Sequence, residues 1–476
     1  MNKNKAPFDR AELSVIFGED ALVNFPASFA ARGVTTDTRL IESGNIFIAI
    51  RGERVDAHNL VGQAYDCGAA CVIVEQSWFQ NNQDKIANRP AIVTDTADSA
   101  LVKLGRFHRN RFDIPIVGVA GSNGKTTTKD MIAAVLMEKF SVLKTWGNFN
   151  NQLGLPLMLL ELDESHQIAV LEIGTNHPGE VGALSEVARP TEGVITNIGE
   201  EHLEFLLDLD GVEMEETALY GSLIRRGRPA FVNVDDPRLA KYLRLIEQAL
   251  TYGTNPEAQL SASIEMDDEL LPRVTYKYND KEFSAQLHTI GYGSALNSIP
   301  AVAAGLYFGL TQEQIKAGLE KFRQPKLSDY GRMLLENAGG VRIINDTYNS
   351  NPPSARLALD TLAAFGSAGR KFCAMADMRE LGEAAAQSHI DIIKYASEKS
   401  DTVCLFGDEM RKAMGNIYLG NVEFFMDKNE LINRLISEMS EGDVLLVKGS
   451  RGMKMEEVVN KIKKNYENGQ NSPTYL

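Results

Sequence analysis

One stretch constrains this chain more than any other. It is the apolar run Pro115-Ile116-Val117-Gly118-Val119-Ala120, followed without a break by Gly121-Ser122-Asn123-Gly124-Lys125-Thr126. A short continuous apolar run bounded by turn residues is the pattern of a strand buried on both faces, as in parallel sheets. From Thr126 to Lys139 the spacing becomes helical. Strand, glycine-rich turn and helix in this order predict a loop that cradles phosphates. Gly121 and Gly124 let backbone N–H groups come close to the anion, and the helix N-terminus adds a favourable dipole. Ser122, Asn123 and Thr127 complete the loop and its first helical turn. Lys125 can reach the β- and γ-phosphates, and the Thr126 hydroxyl can ligate Mg²⁺. The common form of this loop has a glycine five residues before Gly124, where this chain has Val119. Asp-rich switch motifs and an Asn-Lys-x-Asp base reader are also missing. The loop is therefore not the standard GTPase or kinase version.

The rest of the chain repeats the pattern. Buried-strand runs appear at Asn45–Ile50, Ala70–Glu75 and Ala91–Thr94, then at Ile168–Glu172 and Gly193–Thr196. From about residue 325 the alternation restarts, with runs at Val341–Asn345, Lys371–Ala376, Thr402–Phe406 and Val444–Val447. Strands alternating with helices predict an α/β fold with parallel, doubly wound sheets. The expected division is a small α/β domain over 1–95, a central phosphate-loop domain over 96–325 and a Rossmann-like domain over 326–476. A chain of 476 residues suits three domains at roughly 150 residues each. The polar stretch from Glu467 to Leu476 reads as a loose tail.

A net charge of −15 argues against general nucleic-acid binding, so an anionic substrate must be met by local cations. No run reaches the roughly 18 apolar residues of a membrane span. The start of the chain has no apolar segment of the secretory kind, and a cytoplasmic enzyme is expected. Cys67, Cys71, Cys373 and Cys404 form no Cys-x-x-Cys pair and are expected to be buried, reduced thiols.

Two further groups fall at strand ends. Glu172 closes one buried strand, and Thr196-Asn197-Ile198-Gly199-Glu200-Glu201-His202 follows another. Ligands bind at the carboxyl edge of parallel strands, and a carboxylate there suits a hard divalent ion. On spacing alone, a solvated strand-end Glu172 and a structural His202 remain open.

In combination these segments resemble the Mur ligase family over nearly the whole chain. Thr36-Asp37-Thr38-Arg39, Gly44–Arg54 and Asp56-Ala57-His58 resemble its UDP-sugar-binding domain. Gly147-Asn148-Phe149-Asn150-Asn151 with Gly154–Leu157 resembles its substrate loop. Asp346–Pro352 and Lys448–Gly452 resemble its two C-terminal signatures. The resemblance implies that Glu172 and His202 hold Mg²⁺ beside Thr126. It implies a UDP-sugar site at Thr38, Arg39, Arg51 and Gly52, and substrate contacts at Asn148, Asn150 and Asn151. Asn297 is the expected adenine reader. Arg332 and Asp346 would reach the nucleotide from the C-terminal unit, and Asn349, Asn351, Ser450 and Arg451 the acceptor and peptide, with turn structure as the other reading of these last four. The implied reaction passes the γ-phosphoryl of ATP to the terminal carboxylate of a UDP-MurNAc-tripeptide. The amine of D-Ala-D-Ala then attacks the acyl phosphate, in a site assembled by domain closure. A single-residue-adding, folate or cyanophycin relative, and a non-catalytic ATP-binding assembly protein, are the other readings. A monomer is expected.

The chain departs from that family at one telling place. Most members carry a carbamylated lysine about 14 residues past the histidine. Here that position is Glu216, and no lysine occurs between Lys144 and Lys241. The resemblance implies that the carbamylated lysine helps hold a second metal ion, so Glu216 would serve as a metal ligand through a permanent carboxylate on a shorter arm, the alternative being an exposed acidic helix face of Glu213, Glu215 and Glu216. Milder departures are Ala120 for a frequent Thr, and Gly291-Tyr292-Gly293-Ser294 before Asn297.

Overall fold

The computed structural model of the chain describes residues 4–52, 55–325, 330–366, 369–415 and 417–470, with residues 467–470 described by backbone path alone. Glu53 and Arg54 of the N-terminal signature lie outside the described residues, as does the tail from 471. The helix Glu456–Gln470 runs through the start of the stretch read as a loose tail, which corrects that reading for 467–470.

The central sheet explains why the loop and both strand-end groups meet. Its parallel strands run in the order Val142–Lys144, Ile168–Glu172, Ile116–Ala120, Glu192–Ile195, Ala230–Asn233, Ala249–Gly253 and Leu260–Met266, followed by antiparallel Pro272–Tyr278 and Lys281–Gln286. The loop-bearing strand therefore has Ile168–Glu172 on one side and Glu192–Ile195 on the other. Glu172 pairs in register with Val119, and Ile195 with Ala120, so all three strands end at one edge. Every residue of Ile116–Ala120 is buried, which is why Val119 is tolerated where the common loop has glycine. The helix Lys125–Leu136 packs on Tyr292–Tyr307 and Gln312–Lys321 through Met131, Ile132 and Val135.

A five-stranded N-terminal sheet orders Leu22–Val23, Ala91–Thr94, Cys71–Glu75, Ile46–Ile48 and Val34–Thr35. The helix Ala97–Arg109 gives Ala97, Leu101 and Leu104 to that sheet's core beside Phe8, Leu13 and Ile46. Its other neighbour is the central helix Gly154–Leu159. A six-stranded C-terminal sheet orders Leu334–Ala338, Val341–Asp346, Val444–Lys448, Lys371–Ala376, Thr402–Phe406 and Val422–Phe425, with the first strand antiparallel.

The continuous apolar runs appear as strands at or within two residues of their expected bounds. The parallel strands Val142–Lys144, Ala230–Asn233 and Ala249–Gly253, the strands within Leu260–Gln286, the antiparallel strand Leu334–Ala338, the edge strand Val422–Phe425 and the short N-terminal strands Leu22–Val23 and Val34–Thr35 were not foreseen. Among the four free cysteines Cys71, Cys373 and Cys404 are buried, but Cys67 is exposed, against expectation. It ends the helix Val61–Asp66 as its C-cap, on the polar side of the turn. Among the described residues no helix is long and apolar enough to cross a membrane.

Gly105 is where the helix Ala97–Arg109, which also packs on the N-terminal sheet, crosses the helix Gly154–Leu159. A Cβ there would lie 2.9 Å from Pro156 Cα. Gly105→Val should therefore destabilise the chain by about 1–3 kcal/mol through overpacking, read as a lowered urea midpoint. An unchanged midpoint would show that the two helices do not bear on each other there.

Candidate active site

The phosphate loop is shaped before any ligand arrives. Gly121 (φ 113°) and Gly124 (φ 83°) hold backbone conformations that side chains resist. A Cβ on Gly121 would lie 2.3 Å from Thr196 Oγ1. The close approach is fixed by hydrogen bonds to the segment after Glu192–Ile195. Ser122 N–H donates to Asn197 O (2.9 Å) and Asn123 N–H to Asn197 Oδ1 (3.1 Å). Thr196 Oγ1 donates to Asn123 O (2.6 Å), and Ser122 Oγ to Gly199 O (3.0 Å).

Lys125 stands among acids. Its Nζ is 3.2 Å from Glu201 Oε2 and 3.5 Å from Glu216 Oε1. Burial pulls its pKa down, but Glu201, Glu216 and Glu172 outweigh that and hold it above the ordinary lysine range. Glu216 is fully buried, and its Oε2 accepts the Gly121 N–H at 2.6 Å. It lies behind the loop rather than on the cleft wall, and reaches the cleft through Lys125. Glu213 and Glu215 are buried too. Glu213 meets Arg238 (2.8 Å) and Tyr242 (3.1 Å), and Glu215 accepts the amides of Gly179 and Val181. The acidic run is therefore not a solvated helix face.

Glu201 was not singled out in the sequence, although a carboxylate beside a histidine after a buried strand was a usable signal. It is 6% exposed and faces the cleft. Burial, then the nearby Glu216, push its pKa well above the carboxylate range against the pull of Lys125.

Glu172, 3% exposed, accepts Asn150 Nδ2 at 2.8 Å through Oε1. Its Oε2 and the Oε1 of Glu201 are buried with no hydrogen-bond partner. His202 sits at φ 49°, with Nε2 4.0 Å from Glu201 Oε2 and Nδ1 2.6 Å from Glu380 Oε2 of the C-terminal unit. Contact with His202 holds Glu380 below the usual carboxylate range. Among the described residues no three His, Cys, Asp or Glu side chains converge on one ion-sized point. The Lys125 ammonium lies among them instead. Two unsatisfied carboxylate oxygens on one wall still suit a hard divalent ion.

These groups line a cleft of about 670 Å³ between the central and C-terminal units. Arg332, Asp346, Asn349, Asn351 and Lys448 form its far wall. Arg332 stacks on Tyr348 with its guanidinium 3.6 Å from the ring centre. Asp346 pairs with the buried Lys448, which also donates to Asn349 O at 3.0 Å. Asn351 caps the helix Pro352–Ala364 through the Ser354 N–H (3.0 Å), and its Nδ2 donates across the cleft to Asn123 Oδ1 (3.0 Å).

Not every expected residue joins this cleft. Thr38, Arg39, Arg51 and Gly52 do not line it. Arg39 is tied to Asp37 at 2.6 Å and Arg51 to Glu75 at 2.8 Å on the N-terminal unit. Ser450 and Arg451 stand behind it, Ser450 accepting the Arg379 N–H (2.8 Å) and Arg451 lying 3.8 Å over the Tyr330 ring. Asn148, Asn150 and Asn151 do line it, though Asn151 Oδ1 also accepts the Leu153 and Gly154 N–H groups at the start of Gly154–Leu159. Asn297, expected at the adenine, also lines the cleft, its Oδ1 accepting from Thr128 Oγ1 at 3.3 Å beside Gly124.

A phosphate loop on a parallel sheet, facing a second Rossmann-like unit across a cleft of cations and carboxylates, defines a nucleotide-dependent ligase of modular build, and the chain belongs to the Mur ligase family. Residues 119–305 match the Mur ligase middle domain, and 331–451 the Mur ligase glutamate ligase domain. The chain is 34% identical to UDP-N-acetylmuramoyl-tripeptide–D-alanyl-D-alanine ligase of Bacillus subtilis, over 90% of this chain and 92% of that protein. It is 30% identical to the enzyme of that name from Escherichia coli, over 92% and 95%. Its fold is similar to a crystal structure of MurF from Acinetobacter baumannii (TM-score 0.86, 29% identity, 97% of this chain and 100% of that one). MurF from Thermotoga maritima in complex with ADP is also similar (TM-score 0.81, 26% identity, 92% and 98%).

Asn351 does two jobs, capping a helix and bridging the cleft. Asn351→Ala should cost about 1 kcal/mol or more in urea unfolding, and Asn123→Ala, which removes only the bridge, clearly less. Equal losses would mean the cap contributes nothing.

Proposed function

We propose that the chain joins D-Ala-D-Ala to the terminal carboxylate of a UDP-MurNAc-tripeptide, with ATP converted to ADP and phosphate. The observation that carries this reading is the end-to-end likeness to ligases of that name, in a chain whose phosphate loop faces Arg332, Asp346 and Asn351 across one cleft.

The chain's residues act by positioning and charge. Lys125 and the loop amides hold the β- and γ-phosphates of ATP. Arg332 and Asp346 approach the nucleotide from the opposite wall. The tripeptide carboxylate enters beside Asn148, Asn150 and Asn151 and takes the γ-phosphoryl group. The dipeptide amine then displaces phosphate from the acyl phosphate, its carrier loop being Asn349–Asn351. Ser450 and Arg451 act from behind that loop, Ser450 through its hydrogen bond to Ser350 O. Thr126, Glu172 and His202 would hold Mg²⁺, which supplies charge neutralisation between the γ-phosphate and the attacking carboxylate. Glu216 holds the loop amide and Lys125 in place. Thr38, Arg39, Arg51 and Gly52 would form a separate anchor for the UDP end. The reading sets the reaction in the cytoplasm, where ATP and UDP-sugars are made, with the chain as a monomer of three domains, 1–95, 96–325 and 326–476.

A phosphate-release assay tests it. ATP and UDP-MurNAc-tripeptide should release phosphate with D-Ala-D-Ala and not with single amino acids; turnover with a single amino acid alone would sink the dipeptide assignment. Glu216→Ala should lower kcat about a hundredfold or more, as loss of a preorganised charge partner does. Because Glu216 needs no carbamylation, removing bicarbonate should leave the wild-type rate unchanged.

A further inference from the structure

The side chain that most needs an explanation is Glu201. It is 6% exposed, faces the cleft, and keeps Oε1 without a partner while Oε2 binds Lys125 at 3.2 Å. A buried carboxylate oxygen left unsatisfied costs stability unless something else meets it. Glu172 presents a second such oxygen on the same wall. Glu216, in contrast, is committed to the Gly121 amide behind the loop.

We propose that Lys125 and a divalent cation compete for Glu201, so that nucleotide binding creates the metal site by drawing Lys125 away. Without nucleotide, the ammonium stands in for a cation between Glu201 and Glu216. When the β- and γ-phosphates enter, they offer Lys125 a denser negative charge than one carboxylate. The lysine swings onto them, still anchored by the helix that starts at residue 125. Glu201 then has two free oxygens facing the cleft beside Glu172 and His202, and the divalent ion takes them. One cation replaces another, and the phosphates carry the displaced one. The consequence is coupling: metal binds weakly to the empty enzyme and tightly with nucleotide, and by linkage the metal tightens the nucleotide equally.

The inference rests on the divalent-ion reading above, and one experiment separates their failures. Mn²⁺ is titrated into the enzyme, and the free ion is followed by its electron paramagnetic resonance signal. Wild type should bind Mn²⁺ weakly alone, and about ten-fold or more tightly with a non-hydrolysable ATP analogue. Lys125→Met, without nucleotide, should bind Mn²⁺ about ten-fold more tightly than nucleotide-free wild type, because the competing ammonium is gone. Glu201→Gln with the analogue should bind it about ten-fold more weakly than wild type with the analogue. A folded Lys125→Met, checked by circular dichroism, with no gain in Mn²⁺ affinity overturns the exchange, as does Glu201→Gln binding like wild type. If Lys125→Met does not fold, the Glu201→Gln comparison decides alone. If wild type with the analogue retains no more Mn²⁺ than the analogue does in buffer, the divalent-ion reading itself falls.

Discussion

Lys125 carries a positive charge into a site where its side chain is only 14% exposed, and much of the central unit is arranged around that charge. An unpaired ammonium at such depth would be strongly disfavoured. Three acids drawn from different elements hold it: Glu172 from a strand end, Glu201 from the segment after the next strand, and Glu216 from the helix Leu209–Glu216. Glu216 also accepts the Gly121 N–H, so the same carboxylate sets the loop's backbone and its lysine. Removing one partner of such a cluster leaves charge uncompensated in a buried place, and that is more costly than losing a surface pair.

The central sheet's order makes this cluster possible. Strands that are distant in the chain become neighbours on either side of Ile116–Ala120, and parallel pairing sends all three carboxyl ends to one edge. The second Rossmann-like unit then closes the cleft with contacts in register: Asn351 to Asn123, Glu380 to His202, and Pro353 beside Gly199. Each contact joins the C-terminal unit to the phosphate loop or the segment strapped to it. Movement of that unit is therefore felt at the loop, through groups that already touch it.

What could be read from the sequence follows from burial. Ile168–Glu172, Lys371–Ala376 and Thr402–Phe406 are buried on both faces, so their apolar runs mark their ends directly. The strand Leu260–Met266 alternates buried with part-exposed residues, and Lys281–Gln286 buries only Ala285, so neither shows as a continuous run. The antiparallel edge therefore stayed hidden. The site divided the same way. The loop and strand-end acids announce themselves by position, whereas Glu201 looks like one more acid in an acidic segment. Its importance comes from what the fold brings to it, the ammonium of Lys125 from a distant element, and periodicity does not carry that.

A chain with a net charge of −15 must still receive anionic ligands, and it does so by confining its cations. Lys125 projects from the central wall, and Arg332 and Lys448 from the opposite one. Two are restrained in advance by carboxylates and one by stacking. Lys125 lies among carboxylates, Lys448 is 1% exposed and paired with Asp346, and Arg332 is laid flat on Tyr348, which itself stacks on Tyr330 at 5.4 Å. Restraint by a carboxylate has a consequence that stacking lacks. An arginine on a ring keeps its charge available to a phosphate. A lysine held by acids is neutralised until something more negative draws it off. The two walls thus differ at one residue each: Arg332 offers standing positive charge from the C-terminal wall, whereas Lys125 offers its charge only to a ligand able to displace Glu201. Selectivity for a polyphosphate over a lone carboxylate follows from that difference, because one carboxylate has little advantage over the one already in place.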